Sequence, residues 1–115
     1  MRQSTAPSWT KRSLSTTGRI GSGLNGIASY YWQPQRVAAG GWFNPDGMTA
    51  AHRTLPFGTR VRVTHLASGR TVEVKINDRG PYIAGRVIDL SRAAAGVIGM
   101  TKQGIARVAV EVLGR

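Results

Sequence analysis

The stretch that decides the fold runs from Arg60 to Pro81 and reads RVRVTHLASGRTVEVKINDRGP. Its first six residues, and again Thr71 to Ile76, alternate in polarity, which is the period of a strand with one buried face. Ala67-Ser68-Gly69 between them has the composition of a hairpin turn. We therefore predict two paired strands followed by a sharp loop at 77–81. The inward positions on this pattern are Val61, Val63, His65, Val72, Val74 and Ile76.

Weaker signals come before this hairpin. Order is expected to begin near Gly26, and residues 27–32 carry large side chains on both alternating faces, which is typical of a strand buried on both sides. The stretch 33–46 contains several Gly and Pro residues and is interpreted as a long loop. Thr49 to Thr54 is predicted to form a short helical turn that stops before Pro56, because the residue preceding a proline avoids the helical conformation.

Three further elements follow the hairpin. Val87–Leu90 is predicted to form a short strand, and Ser91 is expected to cap a helix that runs to about Ile98, since its hydroxyl oxygen accepts free amide hydrogens of the first turn. Gly99 can end this helix. The last strand is predicted at Ala106–Leu113, with inward positions at Val108, Val110 and Val112. Five or six short strands most easily close as a small barrel, because closure removes exposed strand edges.

The chain has 115 residues, no cysteine, and a formal charge of +11 from 16 basic residues against 5 acids. This length fits one domain plus a tail. We assign the domain to residues 25–115 and interpret residues 1–24 as a flexible basic tail, because that stretch has no acid and few large apolar side chains. Without cysteine we expect no disulfide, no thiolate metal site and no lipid-anchored cysteine in this chain. We also find no export signal and no apolar run of about 18 residues that could span a membrane.

The positive charge favours polyanionic partners. Nucleic acid, anionic lipid and anionic wall polymer all satisfy it, and charge alone does not choose among them. A nucleic-acid binder is expected to line its basic residues along one face, whereas the Arg residues here are scattered across every segment. We therefore expect no nucleic-acid partner.

Asp78 has the most distinctive position among the acids. It follows an apolar strand and stands in a loop fixed by Gly80 and Pro81, where a scaffold presents a side chain rigidly. An Asx-type turn or an ion pair with Arg79 explains the position equally well, so a structural and a catalytic role both stay open. His52 is open in the same way, because a lone histidine more often packs or forms hydrogen bonds than reacts.

The other four acids are assigned structural or surface roles. Glu73 and Glu111 lie on the polar sides of alternating strands and are predicted to be solvated charges. Asp46 lies in a turn composition, and Asp89 is interpreted as a hydrogen-bond acceptor or ion-pair partner. The histidines and acids lack metal-ligand spacing, and no phosphate-binding Gly loop is present. We therefore expect neither a metal nor a cofactor.

Four segments resemble, in order and spacing, the rare lipoprotein A family. They are Ala28–Tyr31, Thr49–Thr59, Val74–Tyr82 and Gly85–Ser91, and the resemblance covers about Gly26 to Val112. It implies a mainly β fold, a six-stranded double-psi β-barrel with one or two short helices, located in the bacterial cell envelope or periplasm. It also implies endolytic lytic transglycosylase activity on peptide-stripped glycan strands of peptidoglycan. Such an enzyme cleaves between N-acetylmuramic acid and N-acetylglucosamine and leaves 1,6-anhydro ends.

The resemblance also implies the site residues. The family's catalytic Asp falls on Asp78 and its active-site His on His52. One carboxyl group can protonate the leaving oxygen and then accept the proton of the muramyl 6-hydroxyl, unlike the paired carboxylates of ordinary glycosidases. The charge of Arg79 must then be turned away or compensated. Substrate contacts are expected from Tyr31, Trp42, Arg53, Asn77, Arg79 and Tyr82, and the aromatic rings of Trp42 and Tyr82 suit either stacking on a pyranose or simple packing.

The sequence departs from the family pattern at Gly41, where many members carry a glutamate that belongs to the active site. Two functions therefore stay open. One is the lytic transglycosylase, and the other is a non-catalytic, expansin-like module that binds peptidoglycan glycan strands. In either case we expect a monomer, and the resemblance suggests association with the division septum.

Overall fold

The chain folds as a closed ring of strands. The computed structural model describes residues 25–33 and 35–115, and the predicted basic tail at 1–24 lies outside the described residues. The elements are β1 (Gly26–Tyr31), β2 (Thr49–Ala51), β3 (Arg60–His65), β4 (Thr71–Asp78), β5 (Arg86–Ser91), α1 (Arg92–Val97) and β6 (Ile105–Gly114). The strands pair in the order β1-β5-β2-β4-β3-β6, and β6 pairs back with β1. The prediction of a mainly β, six-stranded barrel with a short helix is confirmed.

The central hairpin has the predicted register and faces. β3 and β4 pair antiparallel, with Arg60 opposite Lys75 at one end and Thr64 opposite Thr71 at the other. All six positions predicted to face inward are buried, and none is more than 7% exposed. The alternating polarity of both strands therefore determines their pairing register, because shifting the register by one residue would expose all of the apolar side chains.

The predicted helical turn at Thr49–Thr54 is wrong. Thr49–Ala51 is strand β2, which pairs parallel with β4 on one side and antiparallel with β5 on the other. A segment this short has little local preference of its own, and strand partners on both sides satisfy its amide and carbonyl groups. Pairing between distant parts of the chain therefore decides its conformation.

One strand boundary and the burial of two side chains also differ from prediction. β4 continues to Asp78 rather than ending at Ile76, because β2 supplies a partner that far through Ala51. Trp32, predicted on a buried face, lies beyond β1 and is 53% exposed. Val112, predicted to face inward, is 40% exposed. β1 pairs with residues 105–108 of β6 only, so Val112 stands on a part of β6 that β1 does not cover.

The helix is capped as predicted. The Ser91 hydroxyl accepts a hydrogen bond from the Ala94 amide (3.2 Å) and donates one to the Gly47 carbonyl (2.6 Å), which ties α1 to the segment before β2. The helix ends with Ile98 as its cap, and Gly99 follows with a φ of 77°, the left-handed conformation that glycine adopts freely. Within the described residues, no helix is long and apolar enough to cross a membrane.

Candidate functional site

A row of residues in register across four strands brings two acids to one part of the barrel. Ser29 on β1 pairs with Asp89 on β5, Asp89 pairs with Ala51 on β2, and Ala51 pairs with Asp78 at the end of β4. Neighbouring strands lie about 4.8 Å apart, so the α-carbons of the two acids are roughly 10 Å apart. The Ser29 hydroxyl donates to the Asp89 carboxylate, which confirms the predicted role of Asp89 as an acceptor. The sequence did not predict that Asp89 lies in the same row as Asp78, because only the strand pairings bring these two residues together.

The loop at residues 35–43, called the site loop below, folds back on itself. Arg36 and Trp42 form an antiparallel bridge. The Val37 amide donates to the Gly41 carbonyl (3.0 Å), and the Gly40 amide donates to the Val37 carbonyl (2.9 Å). Gly40 and Gly41 have φ values of 110° and 86°, a region that favours glycine. Gly41 is therefore part of what shapes this tight turn.

The site loop fixes the Asp78 carboxylate. The Ala38 amide donates to Asp78 Oδ1 (2.8 Å), and the Arg79 amide donates to the same oxygen (2.9 Å). The Ala39 amide donates to the Asn77 carbonyl (3.0 Å), which holds the loop against the end of β4. Among the described residues no hydrogen bond reaches Asp78 Oδ2. The side chain is thus oriented through one of its two oxygens.

Tyr31 places a phenol close to both acids. Its ring stacks on Phe43 of the site loop, with 4.2 Å between the ring centres. Burial raises the pKa of the Tyr31 phenol, and the negative charges of Asp78 and Asp89 raise it further. Its hydroxyl and the Asn77 Oδ1 are buried without a hydrogen-bond partner among the described residues. The phenol stays protonated, so it is a donor available to an oxygen that enters the site.

His52 is only 5% exposed and has a defined tautomer. Its Nδ1 accepts hydrogen bonds from the amides of Thr54 and Leu55, both at 3.1 Å, so the ring proton belongs on Nε2. Burial lowers the pKa of His52, and the charges of Arg53 and Arg79 lower it further. His52 is therefore neutral near pH 7 and acts as a donor through Nε2 rather than as a cation.

Arg79 is directed away from the carboxylate that precedes it. Its Nη1 donates to the carbonyls of His52 (3.1 Å) and Leu55 (2.9 Å), and its guanidinium lies 4.0 Å from the centre of the Phe57 ring. These contacts turn the positive charge of Arg79 away from the Asp78 carboxylate, as the proposed catalytic role of Asp78 requires. The Arg79 guanidinium contacts the segment after β2 and, at 3.5 Å, the Asp78 carbonyl. A contact of Arg79 with substrate stays a prediction.

The remaining predicted contacts lie on the surface around this site. Trp42 is 67% exposed and has the Arg36 guanidinium 5.0 Å from its ring centre, and Tyr82 is 74% exposed. Arg53, next to His52, is exposed as well. The described contacts do not join these three side chains to one another.

The neutral state of His52 predicts acid sensitivity. Its pKa is depressed in the folded protein, so its contribution to stability is fully present above the unfolded value of about 6.5 and is lost as the pH falls through the folded value. We expect the thermal midpoint to fall between about pH 7.5 and pH 5. His52→Asn keeps an acceptor near the Nδ1 position but does not titrate, so its midpoint is expected to fall less. The thermal midpoints are measured by circular dichroism. An equal fall of the midpoint in both proteins contradicts this assignment.

Comparisons with known proteins agree with these features. The family model described as lytic transglycolase matches residues 24–110. The probable endolytic peptidoglycan transglycosylase RlpA of Nostoc sp. is 59% identical over 97 residues, which are 80% of this chain and 26% of that protein. The endolytic peptidoglycan transglycosylase RlpA of Campylobacter jejuni is 42% identical over 102 residues, which are 86% of this chain and 37% of that protein.

The chain thus spans about a quarter to a third of the length of these curated relatives. Among solved structures, the Streptomyces papain inhibitor is similar in fold, with a TM-score of 0.65 over 82% of this chain and 96% of that one, at 24% sequence identity. The matched family segment contains all four strands of the row and the whole site loop. The chain therefore belongs to the lytic transglycolase family of rare lipoprotein A-like proteins, and its fold is a double-psi β-barrel.

Proposed function

We propose that this domain is an endolytic peptidoglycan lytic transglycosylase that uses Asp78. The observation that carries the proposal is the Asp78 carboxylate, which two backbone amides hold by Oδ1 while Oδ2 has no partner among the described residues. The names of the two relatives described above support the same activity. A rigid acid beside exposed aromatic faces suits a glycan strand that must be held and cut in one orientation.

The reaction needs one proton to move from one sugar oxygen to another. Asp78 donates a proton to the glycosidic oxygen as the bond from that oxygen to C1 of N-acetylmuramic acid breaks. The resulting carboxylate accepts the proton of the muramyl 6-hydroxyl as O6 bonds to C1, which closes the 1,6-anhydro ring and restores the acid. Asp89, in register on the same row, adds negative charge near the positive C1 of the transition state. Tyr31 and the Nε2 of His52 are the proposed donors to sugar oxygens.

The proposed setting follows from the substrate. Peptide-stripped glycan strands lie in the bacterial cell envelope, so we place the domain there, working as a monomer at the division septum. Because the matched residues make up only 26% and 37% of these two relatives, their activity is assigned to this domain only as a proposal.

One observation favours a second function, a module that binds glycan without cutting it. The site loop has Gly41 where the family resemblance implies a glutamate, so this position lacks the acid that the resemblance leads us to expect. The exposed Trp42 and Tyr82 would still stack on sugar rings. The first experiment must therefore distinguish binding without turnover from transglycosylase activity.

Product analysis separates the two functions. The protein is incubated with purified, peptide-stripped glycan strands, and mass spectrometry searches for 1,6-anhydro-muramyl ends. Their formation supports the transglycosylase. Strands that pellet with the protein yet gain no such ends support the binding module and overturn the proposed activity.

Restoring the acid at position 41 tests whether its loss limits the rate. A β-carbon placed at Gly41 meets no atom within 4 Å, so there is space, but the positive φ costs any other residue about 1–2 kcal/mol. Gly41→Glu and Gly41→Gln share this strain and differ in the carboxylate. We expect Gly41→Glu to form anhydro ends at least about tenfold faster than Gly41→Gln. Equal rates would show that the site works without a second acid in the loop.

A further inference from the structure

Three exposed basic residues stand on segments that adjoin the end of β4 that lies away from Asp78. Arg70 follows the β3–β4 turn, Lys102 lies in the loop before β6, and Arg107 lies on β6. We call these three residues the basic surface. β4 has 8 residues, so the start of this strand lies roughly 23 Å from its end, where Asp78 stands.

His65 holds the segments of the basic surface together. Its amide donates to the Arg70 carbonyl (2.8 Å), and the amide of the next residue, Leu66, donates to the Arg107 carbonyl (3.1 Å). Its buried ring lies 3.2 Å from the Gln103 side chain, next to Lys102. The backbone positions of all three cations are therefore fixed relative to one another.

Gly99 makes room for one of these cations. A β-carbon placed at Gly99 would lie 2.8 Å from the Arg70 Nη1, which is closer than van der Waals contact allows. The Arg70 side chain thus lies across the loop that also carries Lys102.

In the described part of the chain, no acidic side chain neutralises the basic surface. The whole sequence has only five acids. Asp78 and Asp89 belong to the row described above. The other three form exposed ion pairs elsewhere: Asp46 with Arg92, Glu73 with Arg60, and Glu111 with Arg62. None of the ion pairs among the described residues involves Arg70, Lys102 or Arg107.

We propose that the basic surface binds the carboxylates of stem peptides in intact peptidoglycan. This inference rests on the proposed function, which makes peptidoglycan the polymer that the domain meets. Arginine pairs well with carboxylates, and several weak, salt-screened contacts to one polymer add through effective concentration. The distance from Asp78 lets the basic surface hold peptide-bearing wall while a peptide-free stretch occupies the site.

Binding to two wall preparations tests the proposal. The full chain is pelleted with intact sacculi and with sacculi from which an amidase has removed the stem peptides. One variant removes charge from the basic surface, and a matched variant removes the same charge from the ion-paired arginines. The substitutions are Arg70→Gln, Lys102→Gln and Arg107→Gln in the first, and Arg60→Gln, Arg62→Gln and Arg92→Gln in the second.

We expect the first variant to bind intact sacculi at least about tenfold more weakly, and the matched variant to change by less than about twofold. Binding of both variants to stripped sacculi is expected to stay within about twofold of the unchanged protein. Equal losses in the two variants overturn the proposal, because they indicate net charge alone. An equal loss on stripped sacculi also overturns it, because the ligand is then a group of the glycan itself.

Two further measurements keep the result interpretable. A variant that exchanges the same three cations while keeping their charge (Arg70→Lys, Lys102→Arg, Arg107→Lys) is expected to bind intact sacculi like the unchanged protein, and a loss there contradicts an electrostatic role. Formation of anhydro ends on peptide-free strands is measured separately and should be unaffected in the first variant. If the unchanged protein forms no anhydro ends, the proposed function is refuted. If the first variant pellets with intact sacculi as well as the unchanged protein does, the proposed role of the basic surface is refuted.

Discussion

Asp78→Asn is expected to lower the rate of anhydro-end formation by about 100- to 10,000-fold, the range that a positioned acid–base group contributes. The amide is nearly the same shape, and its oxygen can still accept the hydrogen bonds that the amides of Ala38 and Arg79 give to Oδ1. What it lacks is the capacity to give and take a proton. The rate is followed by mass spectrometry of the released strands.

Asp46→Asn is the matched control for this substitution. Asp46 is exposed and forms an ion pair with Arg92, outside the row that contains Asp78. It should keep the full rate, and both variants should still pellet with stripped strands. If Asp78→Asn keeps more than about a tenth of the rate, the proton transfer belongs to another group, since loss of a general acid–base residue costs far more. Asp89 would then be the next acid to replace.

The local pattern of the sequence was enough to predict the hairpin and the helix cap. Alternation along β3 and β4 predicts their faces, and a serine before a helical segment predicts the hydrogen bond that Ser91 makes with Ala94. Both features depend on residues near one another in the chain. Strand β2 depends instead on β4 and β5, which come later in the sequence, so its three residues carried no usable local signal.

The same distinction applies to the candidate site. Asp78 could be singled out, because an acid after an apolar strand and before Gly80-Pro81 is visible in the sequence. The row that joins it to Asp89 depends on two strand pairings, and the hydrogen bond from Ala38 depends on how the site loop docks. The direction of the Arg79 side chain is likewise set by the carbonyls of a distant segment. These are tertiary relations, which a single sequence does not display.

Ile76→Ala is expected to lower the free energy of unfolding by about 2–5 kcal/mol, the usual cost of truncating a large, fully buried aliphatic side chain. Ile76 is 0% exposed and lies in the core two residues before Asp78. Its amide donates to the Thr59 carbonyl, and its carbonyl accepts from the Gly58 amide, so Ile76 lies against the residues just before β3. The truncation therefore leaves a cavity between the start of β3 and the end of β4. In a domain of this size we expect the thermal midpoint to fall by roughly 10–25 °C.

Ile83→Ala removes the same atoms from a side chain that is 56% exposed, and its midpoint should change by no more than a few degrees, since little apolar area returns to water. Calorimetry of the two variants therefore compares burial alone. Similar midpoints would show that the end of β4 is loosely packed, and a rigid Asp78 would then lack its support. A large difference, with anhydro-end formation falling in Ile76→Ala even well below its melting temperature, would show that the core holds the carboxylate in its working position.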